Sequence, residues 1–264
     1  MFGAFVSLVR DRQPLVHAIT NYVTVNDCAN CILAIGASPV MADEISEVEE
    51  ILGNCLLINI GTINERTLES MIKAGKKANM ENIPVVLDPV GVMASSFRKQ
   101  AVKTLLEEVK FTAIAGNISE ISFLAKGQSA GRGVDAGFMD TVSSEEAIAM
   151  AKQLSAKTGA IIVISGKTDI IANENDTYMV NNGSYYMGKI TGSGCMQSAI
   201  IASFLGGVEN TLLACVCGAC AWGICGEIAE QKMEGTMSFR MHLIDALSNM
   251  SENTFNQMCK ITKA

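Results

Sequence analysis

The sequence predicts an α/β fold: a single domain with a central, mostly parallel sheet flanked by helices. Three observations predict it. Short β-branched apolar runs alternate with longer segments of helical periodicity, the pattern of successive βαβ units. The runs are apolar at every position, as in strands covered by helices on both faces. The 264 residues contain no linker, low-complexity tract or internal repeat. Single α/β domains of roughly 250 residues are common, so residues 1–264 are read as one domain.

The elements follow in order. Met1 to Pro14 starts apolar and is broken by Arg10, Asp11 and Arg12; with no charged n-region and no small-residue cleavage site, it does not read as a signal peptide. Strands are predicted at Leu56–Ile60, Pro84–Asp88, Phe111–Ala115 and Ala160–Ile164. Asn64–Met80, Phe97–Val109, Asn117–Lys126 and Ser143–Thr158 carry apolar residues at helical spacing with charges opposite, and read as crossover helices. Asp169–Ile171 is a further strand. Asn182-Gly183, between Tyr178–Val180 and Ser184–Tyr186, reads as the turn of a hairpin. From Ser193 onward the chain is largely helical. Its most apolar stretch, Leu212–Cys225, falls short of the roughly 18 residues a membrane span needs and reads as a buried helix.

Composition removes several classes of function. With a formal net charge of −7 and no basic run, the chain has no electrostatic footprint for nucleic acid. Nine cysteines, an odd number, read as free thiols in a reducing cytoplasm. Cys28 with Cys31 and Cys217 with Cys220 lie inside apolar helical patterns, which suits small buried thiols better than a zinc site. Ser165-Gly-Lys-Thr168 resembles the end of a phosphate-binding loop, but Ile161 stands where that loop needs its first glycine, and a strand follows rather than a helix. Gly131-Arg-Gly133-Val-Asp-Ala136 fits the loose dinucleotide pattern without a preceding strand, and reads as a surface loop. His17 reads as a structural histidine, and His17 and His242 are too few for a metal cluster.

The chemistry is carried elsewhere. Thr191-Gly-Ser-Gly-Cys195 leads directly into the helical pattern Met196–Phe204, so a glycine-rich turn presents backbone N–H groups at a helix start, where anions bind. Asp88-Pro-Val-Gly91 closes one strand and Asn117-Ile-Ser-Glu120 follows another. Open α/β sheets bind ligands outside the carboxyl ends of their strands, which directs Asp88 and Glu120 toward one crevice. Two carboxylates for Mg²⁺ and a cradle for phosphate are the parts of a phosphoryl transfer.

In these residues the chain resembles the hydroxyethylthiazole kinases of the ribokinase-like fold. The resemblance runs through His17-Ala-Ile-Thr-Asn-Tyr-Val-Thr-Val-Asn-Asp27, Gly36-Ala-Ser-Pro-Val-Met-Ala42, Asn59-Ile-Gly-Thr62, Asp88-Pro-Val-Gly91, Gly116-Asn-Ile-Ser-Glu120, Gly133-Val-Asp135 and Thr191-Gly-Ser-Gly-Cys195, in order along nearly the whole chain. It implies ATP- and Mg²⁺-dependent phosphorylation of 4-methyl-5-(2-hydroxyethyl)thiazole in thiamine salvage, by a homotrimer with active sites at subunit interfaces. By the same resemblance, Asn21, Val23, Met41 and Gly192 contact the thiazole, and Cys195, with Gly192 and Gly194, faces the reacting hydroxyl. Asp88 and Glu120 hold the metal. Position 115, Asn117, Ser165 and Thr191 meet ATP.

Two departures stand out. The family usually has Arg or Lys before Gly116-Asn117 to meet the phosphates, and here it is Ala115; Lys189, Lys167 or Arg98 could take that role. After Gly91 the family commonly has Gly-Ala-Thr, where this chain has Met93-Ala-Ser95. Cys195 stands where sugar kinases of the wider fold carry an Asp base. Its place at a helix N-terminus would lower its pKa toward partial thiolate, yet orientation of the alcohol is the favoured role because a thiolate would repel the γ-phosphate. A non-catalytic thiazole-binding protein and an ATP-dependent nicotinamide-hydrate dehydratase are the rival readings.

Overall fold

A computed structural model describes residues 2–126 and 142–264. In chain order the elements are α1 (Ala4–Arg12), β1 (Leu15–Ile19), α2 (Val25–Ile35), β2 (Ser38–Val40), β3 (Cys55–Asn59), α3 (Glu65–Met80), β4 (Val85–Asp88), α4 (Ser96–Glu108), β5 (Ala113–Asn117), α5 (Ile118–Lys126) and α6 (Ser144–Thr158). Then come β6 (Ile161–Ser165), β7 (Asp169–Ala172), β8 (Thr177–Val180), α7 (Ser193–Gly207), α8 (Thr211–Glu230), α9 (Thr236–Ser248), α10 (Glu252–Met258) and β9 (Ile261–Lys263). Among the described residues one sheet runs in the order β2-β1-β3-β4-β5-β6-β7-β8-β9. Its pairs are parallel from β2 to β6 and antiparallel from β6 to β9.

Both faces of the sheet are covered, which is why its central strands have no polar side. Cys55 and Leu57 of β3 pack under α1, α2, α7, α8 and α9. Leu56 and Ile58 pack on the opposite face with α3 to α6. Each such fully buried Leu or Ile stabilises the fold by about 1.5–3 kcal/mol. The helices start where local chemistry satisfies their free N–H groups. Thr67 N donates to Asn64 Oδ1 while Asn64 N donates to Thr67 Oγ1 at the start of α3, each at 3.0 Å. Ser143 and Glu146 make the same reciprocal pair before α6, and Gly159, at φ 73°, ends that helix.

The four predicted strands and four predicted crossover helices all form, with shifts of one or two residues. β5 runs on to Asn117, so α5 begins at Ile118. β1, β2 and β9 were not foreseen. The apolar run of β1 is broken by His17, whose Nε2 bonds the Ala42 carbonyl at 2.8 Å while burial lowers its pKa, a neutral structural histidine as expected. β2 is a three-residue edge strand containing Pro39, a place where a missing N–H costs little.

The hairpin reading is corrected. β8 pairs with β7 and β9, and Tyr185–Lys189 forms a 3-10 turn instead of a returning strand. Asn182 is responsible: its side chain donates to Glu227 and to the Met258 carbonyl and accepts from Lys260 N, tying the segment to α8 and β9. The α8 helix is long and apolar enough to cross a membrane, but most of it is buried inside the fold against α7 and α9. All nine cysteines are free. Gly131–Ala136 and Gly133–Asp135 lie outside the described residues.

Candidate active site

Side chains alternate along a strand, so the residue two beyond a core position faces the same side of the sheet. Leu57, Val86, Ala115 and Val163 all belong to the core under α7 and α8. Two residues on, at the carboxyl ends of β3 to β6, stand Asn59, Asp88, Asn117 and Ser165. Asn59 pairs in register with Asp88, and Asn117 with Ser165. The crevice therefore runs along the strand ends from β1 to β6, and the first turn of α7 closes it from above.

That turn begins at Gly192, whose φ of 77° suits glycine and whose missing Cβ avoids a collision with the Thr24 methyl. The close approach joins the start of α7 to the start of α2. Asn21, just after β1, completes the junction: its Nδ2 lies 3.4 Å from Cys195 Sγ and 3.0 Å from Asn59 Oδ1. Asn59 Nδ2 in turn donates to Asp88 Oδ2 at 2.7 Å, and Asn59 Oδ1 accepts from Gly61 N at 2.9 Å. A buried chain thus links Cys195, Asn21, Asn59 and Asp88. The role of Asn59 was missed as a site residue; a polar residue ending an otherwise apolar strand was the available signal.

Asp88 and Glu120 are both buried. Glu120 accepts from Gly91 N at 2.8 Å and from Asn117 N at 2.9 Å, which holds it beside the loop that follows Asp88. Burial, and then the charge of Glu120, push Asp88 up to about 8; burial also raises Glu120. Neither takes part in an ion pair among the described residues, where no group of three or more metal-ligating side chains occurs. Two mutually repelling, uncompensated carboxylates fit a hard cation that keeps most of its waters.

Burial, followed by the charge of Asp88, raises Cys195 to about 11 despite the helix terminus. The expected partial thiolate is therefore corrected: desolvation outweighs the dipole, and the group is a neutral thiol at physiological pH.

The remaining expected residues fall as follows. Met41 lines a cavity of about 300 Å³ together with Thr20, Tyr22, Asn59 and Thr62, next to Asn21. Val23 is exposed and does not line that cavity. Thr191 and Gly194 are exposed at the α7 turn, and Ser165 is half-buried. Ala115 is buried in the sheet, beside Val163 and one step along from the Leu87–Ile114 pair, level with Asp88. Arg98 is not available as a replacement for the missing cation: its guanidinium donates to the carbonyls of Ile60, Val90 and Gly61 at 2.6–2.8 Å. Lys167 and Lys189 are exposed, with Lys189 over the Tyr185 ring.

A glycine-capped helix N-terminus over paired carboxylates at the ends of parallel strands defines the class, an α/β phosphotransferase of ribokinase-like fold. A ribokinase-like superfamily protein from Enterococcus faecalis aligns with a TM-score of 0.63 at 13% identity, over 92% of this chain and 89% of its own, and shows the fold. The model of the hydroxyethylthiazole kinase family matches residues 6–253. A hydroxyethylthiazole kinase of Clostridium acetobutylicum is 55% identical over 92% of each chain. The structure of a hydroxyethylthiazole kinase protein from Pyrococcus horikoshii aligns at 33% identity with a TM-score of 0.90, covering 100% of this chain and 98% of that one. The chain belongs to the hydroxyethylthiazole kinase family.

Proposed function

We propose that this site transfers the γ-phosphoryl group of ATP to the side-chain hydroxyl of 4-methyl-5-(2-hydroxyethyl)thiazole, the hydroxyethylthiazole kinase activity of the family, in thiamine biosynthesis. The observation that carries the reading is the buried chain from Cys195 through Asn21 and Asn59 to Asp88, which joins an alcohol-facing group to a metal-type carboxylate. The thiazole sits toward β1 and β3, against Asn21, Met41 and Gly192, while Val23, expected as a fourth contact, lies outside the cavity of its own chain. ATP lies toward β5 and β6, at Asn117, Ser165 and Thr191. Ala115 offers ATP no side-chain donor. Asp88 and Glu120 would hold Mg²⁺, which would supply neutralisation of phosphate charge.

The N–H groups of Gly192 to Cys195 receive charge that spreads over the phosphoryl oxygens, and Cys195 orients the alcohol for in-line attack. The transition state is loose, so positioning outweighs base strength. A neutral thiol fits that role, since it adds no negative charge beside the γ-phosphate.

The assembly is read as a homotrimer with interface active sites. Supporting it, Tyr22 (79% exposed) and Val23 flank the site, and Leu33 of α2 with Met237 (73%) and Met241 of α9 form exposed apolar surface on two helices packed together. We place the enzyme in the cytoplasm, where its nine free cysteines stay reduced. Purified protein with Mg-ATP should release ADP only when hydroxyethylthiazole is present. Thiazole binding without turnover would mean a binding protein, and release with hydrated NADH alone would mean a dehydratase.

A further inference from the structure

A buried carboxylate outside the mechanism above spans the two halves of the crevice. Asp169 opens β7 and is 6% exposed. Its Oδ1 accepts from Gly166 N at 2.8 Å, in the turn directly after Ser165. Its Oδ2 accepts from Gln197 Nε2 at 2.7 Å, on α7 two residues beyond Cys195. The register carries Ser165 opposite Asp169, one step beyond the Ile164–Ile170 pair. On the other side of the crevice, Asn21 bonds Cys195. The first turns of α7 are therefore held at two points: Asn21 from the acceptor side and Asp169 from the nucleotide side.

We infer that Asp169 and Gln197 are positioning residues for phosphoryl transfer, a strut that fixes the nucleotide-side turn against the helix carrying Cys195. The inference rests on the proposed reading, in which Ser165 meets ATP and the α7 turn faces the alcohol. Phosphoryl transfer places its demand on the relative position of donor and acceptor. Two groups on separate elements keep that position only if the elements are tied, and a buried carboxylate bonded at both oxygens is such a tie.

The strut makes a distinctive prediction because both of its partners are donors. Asp169→Ala removes both bonds. Asp169→Asn keeps the Gly166 bond through its carbonyl, and a half-turn of the Gln197 amide restores the other, so this variant rescues the function. Gln197→Leu breaks only the bond to α7.

The test measures steady-state kinetics, calorimetric binding of hydroxyethylthiazole and thermal unfolding for the three variants and the unmodified protein. Expected are a fall in kcat of about tenfold or more in Asp169→Ala and Gln197→Leu, an unchanged Kd for the thiazole, and most of kcat retained in Asp169→Asn. Wild-type kcat in folded Gln197→Leu would overturn the strut, as would an Asp169→Asn variant no more active than Asp169→Ala. If Asp169→Ala does not fold, Gln197→Leu and Asp169→Asn still decide. Thiazole-dependent ADP release by the unmodified protein tests the underlying reading separately.

Discussion

Single residues in this site are governed by burial more than by their nearest dipole. Cys195 shows it: desolvation holds the thiol at about 11 although a helix N-terminus lies beneath it. Cys195→Ser should therefore keep a substantial share of kcat, and the wild-type rate should not climb with thiol ionisation between pH 7 and 9. A serine variant slowed by the roughly 10²–10⁴-fold typical of a lost general base would reverse this assignment. Asp88→Asn removes charge from the carboxylate pair proposed to hold the metal, while leaving the Asn21 and Met41 side of the pocket in place. Turnover should nearly vanish with thiazole affinity largely kept, as read by ADP release and calorimetry; unaltered activity at saturating Mg²⁺ would take Asp88 out of the mechanism. Asp88, Glu120 and Cys195 were legible in the sequence because each follows a recognisable strand end or glycine turn. The raised pKa of Cys195 was not, since it depends on what covers the thiol.

Among the elements, α2, α7 and α9 decide the geometry of the acceptor side. The close approach of α7 to α2 depends on Gly192, where a side chain would meet both a left-handed backbone and the Thr24 methyl. Gly192→Ala should push α7 from α2, and a displacement of about 1 Å can cost about 100-fold in kcat/KM. Kinetics alongside a melting curve would separate that loss from unfolding. Asp27 of α2 is buried and pairs with Arg240 of α9, which is about one-third exposed. Arg240→Met strands the carboxylate and should destabilise the protein by about 2–3 kcal/mol, below the figure for a fully buried pair because Arg240 retains water contact. Urea unfolding would check it, and a midpoint within error of wild type would show the pair to be inert. The crossover helices were readable from periodicity and caps. The 3-10 turn at Tyr185–Lys189 was not, because Asn182 bonds residues 45 to 78 positions away.

For the whole molecule, Leu33 of α2 and Met237 and Met241 of α9 are exposed apolar residues on two helices that pack together, a surface a second copy could cover. If copies associate there, Leu33→Glu with Met237→Glu should lower the sedimenting mass and the activity together, while a variant still sedimenting as wild type would put the interface elsewhere. By itself the sequence determined the α/β class, the order of its central strands and helices, the two carboxylates at the strand ends and the glycine turn that opens α7. These follow from local rules of periodicity, capping and turn chemistry, and each can be read within a window of a dozen residues. Tertiary structure alone decided that Asn59 bridges Asn21 to Asp88, that Arg98 is committed to backbone carbonyls, that Cys195 stays protonated and that Asp169 reaches α7. Those outcomes depend on which distant groups share a dry crevice, and desolvation and hydrogen-bond partners are properties of the packed sheet and helices rather than of any stretch of chain.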